Sequence, residues 1–275
     1  MKVRDALQEL APPILWRMAR NLSGRGLRFE GGYANWQDAE RASGGYEKQS
    51  IVHRVYEAEL KVKRGEVVDA RDGVAFDSMQ FSLPIMAALG RIACAKRGPL
   101  GVLDFGGAFG GLYRQYKAFG LPVGVSWSVV EQPAFVSRGK DTFQNEELRF
   151  CSSMDEALAN GPPDVILLSS VLQYLPQPYD LIRLINEVSI RHVIIDRTPC
   201  SGLDRDVLTI QKVPAKIYSA SYPCWIFSRS RLLAAFSPLF RLVTSFADSS
   251  GKWRGNRVTF ELAGFILDRD TPPRS

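Results

Sequence analysis

The chain is poor in the residues that build metal and disulfide sites, with two histidines and four cysteines among 275 residues. Cys94, Cys151, Cys200 and Cys224 stand far apart, with no Cys-x-x-Cys pair and no histidine pair nearby. That spacing argues against a disulfide framework and a zinc site and points to reduced thiols in a cytoplasmic protein. No apolar run approaches the roughly 18 residues needed to cross a bilayer. The basic start is followed by a short apolar stretch broken at Pro12-Pro13, which makes a poor signal peptide. Short-range Asp/Glu clusters suited to magnesium are missing, so no bound metal is expected. Internal repeats and low-complexity tracts are also missing.

What remains is an ordinary globular balance, 45% hydrophobic and 23% charged, in a chain long enough to bury its own core. Thirty-five Lys and Arg against 29 Asp and Glu give a formal charge of +6, a weak preference for anionic partners that does not choose among them. Residues 1–30 set Arg17, Arg20, Arg25 and Arg28 around Leu15, Trp16, Met18 and Leu22. A helix over 5–22 would lie on the protein itself or make peripheral membrane contact. A glycine- and aromatic-rich stretch (Tyr33, Trp36, Tyr46) follows, then helical patterns near 47–64 and 78–96.

From residue 99 short β-rich runs alternate with helical ones. Strands are expected at 101–104, 127–131, 148–151, 164–169 and 192–196, with helices at 112–119, 154–160 and 179–188 between them. Alternation of this kind implies right-handed crossovers and a mainly parallel sheet covered on both faces. Two alternating runs, 240–246 and 257–267, read as a closing antiparallel hairpin. The expected organisation is an N-terminal helical and lid region, 1–79, before an α/β domain, 80–270.

The segment Val102 to Gly111 runs from strand through a glycine-dense turn, with Gly106, Gly107 and Gly110, into a helix. Such a turn lets a ligand approach the backbone, and the helix start offers unpaired N–H groups. Asp104 stands where a pyrophosphate-binding turn would carry glycine, and its charge would suit an amine rather than a phosphate. Glu131 closes the next strand, 27 residues on, near the roughly 20 expected for a carboxylate that grips a ribose. Together they favour S-adenosylmethionine over a nicotinamide dinucleotide, with S-adenosylhomocysteine sharing the pocket as product. By the rule that ligands lie beyond the carboxyl ends of the strands, Gln132 would flank the ribose and Ser152 or Ser153 the adenine. Ser169 and Ser170 would lie under the sulfonium.

Several phrases spread along the chain carry a resemblance. They are Leu103-Asp104-Phe105-Gly106-Gly107, Val129-Val130-Glu131-Gln132-Pro133, Leu168 to Leu175, Ile195 to Pro199, Ile217-Tyr218, Tyr222-Pro223 and Trp225-Ile226-Phe227. From Gly31 onward the sequence resembles a group of bacterial proteins read as S-adenosylmethionine-dependent methyltransferases and tied to surface-polysaccharide gene clusters. The resemblance implies a Rossmann-like class I methyltransferase fold: a mainly parallel seven-stranded sheet, a C-terminal antiparallel hairpin and an N-terminal helical cap. Ala108 departs from the wider superfamily turn, which has glycine there.

Methyl transfer needs an in-line geometry and, for an alcohol acceptor, a base. Asp196, at a strand end, and His53, in a helical pattern over the expected pocket, are the candidates; an ion pair with Arg197 or Arg205 is the competing role for Asp196. Arg197, Tyr33, Trp36, Tyr218, Tyr222 and Trp225 are the candidate acceptor contacts, since sugars and aromatic groups both dock on such faces. The expected activity is O-methylation of a small-molecule or glycan-like acceptor. The alternative is a non-catalytic cofactor-binding or scaffold protein of a surface-polysaccharide pathway. A nucleic-acid substrate is not expected, because Asn/Asp-Pro-Pro-Tyr/Phe is missing after the fourth strand, where Ser169-Ser170-Val171-Leu172 stands.

Overall fold

A computed structural model describes residues 27–43, 48–121, 123–159, 161–213, 220–237 and 239–270. The expected helix over 5–22 and Tyr46 lie outside the described residues, as does Tyr218.

Seven strands form the body of the sheet: β4 (Leu100–Phe105), β5 (Val125–Val130), β6 (Leu148–Cys151), β7 (Val165–Ser169), β8 (His192–Ser201), β11 (Phe240–Gly255) and β12 (Val258–Arg269). In space they run β6-β5-β4-β7-β8-β12-β11. The first five are mutually parallel, and β12 and β11 return antiparallel. The crossovers are α4 (Gly111–Phe119), α5 (Pro133–Thr142), α6 (Met154–Leu158) and α7 (Pro178–Glu187), while α3 (Leu83–Ala95) leads into β4.

Strand periodicity explains why both faces are dry. Along β4 and β7, Leu103, Ile166 and Leu168 pack in one core with Leu181, Ile182 and Ile185 of α7. Val102, Val165 and Leu167 pack in the other, with Ile85 and Leu89 of α3 and Tyr116 of α4. A strand buried on both faces reads as a continuous apolar run, and these do.

The sheet is larger and more mixed than the expected seven strands. It has ten, because β1 (Arg28–Tyr33), β9 (Val207–Val213) and β10 (Ala220–Ser228) form an antiparallel extension. This extension joins the far end of β8 through Phe227 opposite Cys200 and Ser228 opposite Ser201. The N-terminal region is therefore not simply a helical cap. It gives β1 to the main sheet and holds a small hairpin, β2 (Asp69–Arg71) and β3 (Val74–Phe76), beside the helices α1 (Trp36–Ala42) and α2 (Lys48–Lys63). The hairpin turns on Asp72 and Gly73, both with positive φ, the usual chemistry of a two-residue turn. Helix α8 (Arg229–Phe236) follows β10 and covers the sheet with Leu232 and Phe236. None of the described helices is long and apolar enough to cross a membrane.

Candidate functional site

The carboxyl ends of β4, β5, β7 and β8 converge, and the polar groups gather there. After β4 the chain turns through Gly106 at φ 77° and Ala108 at φ 48° before Gly110 caps α4. A Cβ on Gly106 would come within 2.6 Å of Val171 Cγ2, so only glycine fits. Ser170, after β7, and Arg197, within β8, also adopt left-handed backbone at φ 55° and 48°. Left-handed conformations at non-glycine residues cost of order 1–3 kcal/mol each and collect at ligand sites. Here one follows β4, one follows β7, and one lies within β8 just past the point where its parallel pairing with β7 ends at Asp196.

Glu131 follows β5 and is half-buried. Its Oε2 accepts the Gln132 N–H at 2.8 Å and its Oε1 the Ala108 N–H at 3.4 Å, so the carboxylate ties the end of β5 to the glycine turn. Burial raises its proton affinity, and the two backbone donors oppose that rise. Asp104 is 1% exposed, with Oδ2 accepting Trp127 Nε1–H at 3.3 Å. A Cβ on Gly107 would fall on its carboxyl group. Asp104 therefore lies beneath the turn, under Gly107. Burial first, then the nearby Glu131 charge, push its carboxyl up to about 7, against the indole hydrogen bond and the Arg197 charge.

On the other side of the convergence, Asp196 is 6% exposed. Its Oδ2 accepts Ser169 Oγ–H at 3.2 Å, and Arg197 Nε stands 3.5 Å away. Burial raises this carboxyl despite Arg197 and Ser169. The ion pair between Asp196 and Arg197 that competed with a catalytic role is thus present, with Ser169 bonded to both through the second contact from Arg197 Nη2 at 3.3 Å. Arg205 forms no ion pair with it. Asp72 at the tip of the β2–β3 hairpin reaches Arg197 Nη1 at 3.9 Å, bringing the hairpin to the site.

Gln173, in the 3₁₀ turn Leu172–Tyr174, escaped the sequence reading although it sits inside one of the quoted phrases. It is 2% exposed, and its Nε2 donates to Ser170 Oγ at 3.0 Å and to the Arg197 carbonyl at 3.4 Å. One amide thus joins two left-handed corners. The available signal was a single amide in an otherwise apolar turn after a buried strand.

Five buried side-chain atoms have no hydrogen-bond partner among the described residues, and three of them are here: Asp104 Oδ1, Gln173 Oε1 and Arg197 Nε. Buried polar atoms are normally paired, so orphans gathered at strand ends mark where a ligand would complete the network.

The other expected residues are placed as follows. His53 projects from α2 with its side chain 64% exposed and Glu57 at 3.9 Å; nothing joins it to the strand ends. Ser153 caps α6, its Oγ accepting the Glu156 N–H at 3.1 Å, and Ser152 bonds the Glu156 carboxylate through its N–H at 2.6 Å. Both are exposed, as is Gln132. The aromatic patch is split by strand alternation. Trp225 faces Trp36, with ring centroids at 6.4 Å, and packs with Tyr33. Tyr222 instead meets Tyr174 edge-on at 5.2 Å, and Tyr174 donates to Gln211 Oε1 at 3.1 Å. The two tryptophans and the two tyrosines therefore cannot make one flat acceptor wall.

A second constellation anchors the N-terminal elements to the turn. Arg114 on α4 donates to Glu59 Oε2 of α2 at 2.5 Å and to Asp69 Oδ1 of β2 at 2.8 Å. Asp69 is 0% and Glu59 5% exposed.

No protein-family profile and no curated protein matches the chain. Solved structures of similar shape include the N-terminal domain of EvdMO1 with SAH bound, at TM-score 0.48 and 15% identity, covering 82% of this chain and 98% of that one. The CcbJ methyltransferase from Streptomyces caelestis is similar at TM-score 0.44 and 11% identity, covering 68% and 90%. Magnesium protoporphyrin IX methyltransferase (ChlM) from Synechocystis PCC 6803 with bound SAM stands at 0.43 and 13%, covering 82% and 99%. Likenesses of this size leave the chemistry to be argued from the residues themselves.

Proposed function

We propose that this chain binds S-adenosylmethionine and transfers its methyl group to a hydroxyl of a small-molecule or glycan-like acceptor. The observation that carries the reading is the pairing of a left-handed glycine turn with the half-buried Glu131 at the ends of two adjacent parallel strands. Each Glu131 oxygen holds one backbone N–H and keeps a lone pair for a ribose hydroxyl. A pyrophosphate placed on this turn would meet the Glu131 carboxylate as a like charge and would oppose ionisation of Asp104 beneath it, whereas a ribose and a sulfonium amino acid would do neither.

The residues fit the cofactor on this count, and three of the orphaned polar atoms belong to residues that follow or lie near the ends of these parallel strands. Bound there, S-adenosylmethionine supplies an electrophilic methyl on sulfur. Gly106 and Gly107 make the turn itself possible, since a Cβ on either would strike Val171 or Asp104, and Glu131 orients the ribose. Asp196, raised in proton affinity and steadied by Ser169 and Arg197, takes the acceptor's hydroxyl proton as the new C–O bond forms. S-adenosylhomocysteine leaves as product. On the sequence resemblance we assign the acceptor to a surface-polysaccharide pathway with its methylation in the cytoplasm, and the division into an N-terminal lid region and a methyltransferase-like domain belongs to the same reading.

Calorimetric titration of the purified protein with S-adenosylmethionine and S-adenosylhomocysteine tests it. Binding of both is expected. A folded protein that binds neither removes the reading, and one that binds both yet yields no methylated glycan in extracts supports a scaffold role instead.

A further inference from the structure

We propose that Asp104 makes the site respond to the charge on the ligand's sulfur: the sulfonium-bearing cofactor drives a proton off this carboxyl to solvent, and the thioether product does so far less. The inference rests on the cofactor reading above and adds a specificity-determining residue to it.

The geometry is that of a carboxyl group without a counter-ion in a closed place. Asp104 comes from β4, is 1% exposed and has one hydrogen-bond donor, Trp127 Nε1–H from β5. Its other oxygen is enclosed with no partner. The carboxyl lies under Gly107, and one residue further along the same turn the Ala108 N–H donates to Glu131. Two carboxyl groups, on adjacent strands, thus bracket the dipeptide Gly107-Ala108. The charged groups felt by Asp104 are Glu131, from the end of β5, and Arg197, from β8. Arg197 is already engaged by Asp196 and Asp72. Ionising an enclosed carboxyl opposite another carboxylate is unfavourable, so below about pH 7 the ligand-free site holds a proton on Asp104. The carboxyl's position near 7 agrees with this.

A ligand carrying both an ammonium and a sulfonium beside one carboxylate has a net positive charge, and seating it on the turn favours the anionic form of Asp104. Once the methyl has left, sulfur is neutral, the net charge is zero, and Asp104 regains its proton from solvent. Binding and proton release are then linked by the same free energy, so affinity for the cationic ligand must rise with pH wherever a proton is released.

The test is calorimetry in two buffers of different ionisation enthalpy, at about pH 6 and about pH 8, with S-adenosylmethionine and S-adenosylhomocysteine as separate titrants. At the lower pH the cationic ligand is expected to release a large part of one proton and the product little; at the higher pH neither releases one from Asp104. Affinity for S-adenosylmethionine should climb by up to about tenfold per pH unit below 7 and level above it, since one proton per ligand sets that slope. Asp104→Asn should abolish the proton release and the climb while still binding S-adenosylhomocysteine. Should that variant not fold, the wild-type proton counts decide alone. Equal proton release by the two ligands, or binding of the cationic one at pH 6 with no release, overturns the inference while leaving the cofactor reading intact. A folded wild-type protein that binds neither ligand overturns both.

Discussion

Glu131 and Ser153 show how a residue's job is set by what its atoms already hold. Glu131 has each oxygen in one backbone hydrogen bond and remains half-buried, so it retains capacity for a ligand. Glu131→Ala is expected to weaken S-adenosylhomocysteine by about 2–3 kcal/mol, the worth of one or two hydrogen bonds to a charged group. Calorimetry reads this as roughly a 30- to 150-fold rise in Kd. Ser153, one of two serines expected to border the adenine, has its hydroxyl bonded to the first turn of α6. Ser153→Ala should cost about 1 kcal/mol in urea unfolding, as loss of a helix cap does, and leave ligand affinity unchanged. A large affinity loss would return Ser153 to the pocket. Asp196→Asn should leave S-adenosylhomocysteine binding within twofold and, once an acceptor is in hand, lower turnover by about 10²–10⁴, the usual contribution of a general base. Equal losses in binding and turnover would make it a structural ion-pair residue.

Between elements, the buried triad of Arg114, Glu59 and Asp69 holds α2 and the β2–β3 hairpin against α4, the helix that follows the glycine turn. Removing its single cation leaves two enclosed carboxylates facing each other. Arg114→Met is expected to destabilise the protein by about 3–5 kcal/mol in urea unfolding, and Glu59→Gln in that background should recover part of it. Amide exchange should show the loss first in 48–76. An unchanged unfolding midpoint would mean that the N-terminal elements dock without the triad. No such grouping is legible in sequence, because its members are 10 to 55 residues apart and nothing local marks them. The parallel strands were legible, since β4 and β7 are short apolar runs that need cover on both faces. Strands β9 and β10 were not, because Thr209, Gln211 and Pro223 interrupt the apolar pattern. Gln211 finds a partner in Tyr174, which a reader of one segment cannot see. The split of Tyr222 from Trp225 was legible in principle: three residues apart on a strand places two side chains on opposite faces.

For the whole molecule, the titrating groups pull stability in two directions. Asp268 is held by Arg91 at 2.7 Å and His192 at 2.7 Å, and these outweigh burial and keep its carboxyl below the usual range. Its contribution is present above about pH 4 and is lost as pH falls through the depressed value. Asp104, Glu59, Glu131 and Asp196 are displaced the other way, each chiefly by burial. A carboxyl raised in the folded state binds its proton more tightly there than in the unfolded chain. Its contribution is fully present below about 4 and, for Asp104, is lost as pH rises through about 7. Stability should therefore peak in weak acid and decline toward pH 8, where Asp104 carries an enclosed charge. The urea midpoint of the wild type is expected to fall between pH 5 and pH 8, and that of Asp104→Asn to fall less, so that the variant becomes the more stable protein at pH 8. A saturating cationic ligand at about 100 times its Kd adds about 2.7 kcal/mol by mass action. Because that ligand also favours ionised Asp104, its added stability at a fixed concentration should be larger at pH 8 than at pH 5 in the wild type and equal at both in the variant. A wild-type midpoint that rises steadily from pH 5 to pH 8, with Asp104→Asn in parallel, would mean that the carboxyl beneath the glycine turn is ionised throughout.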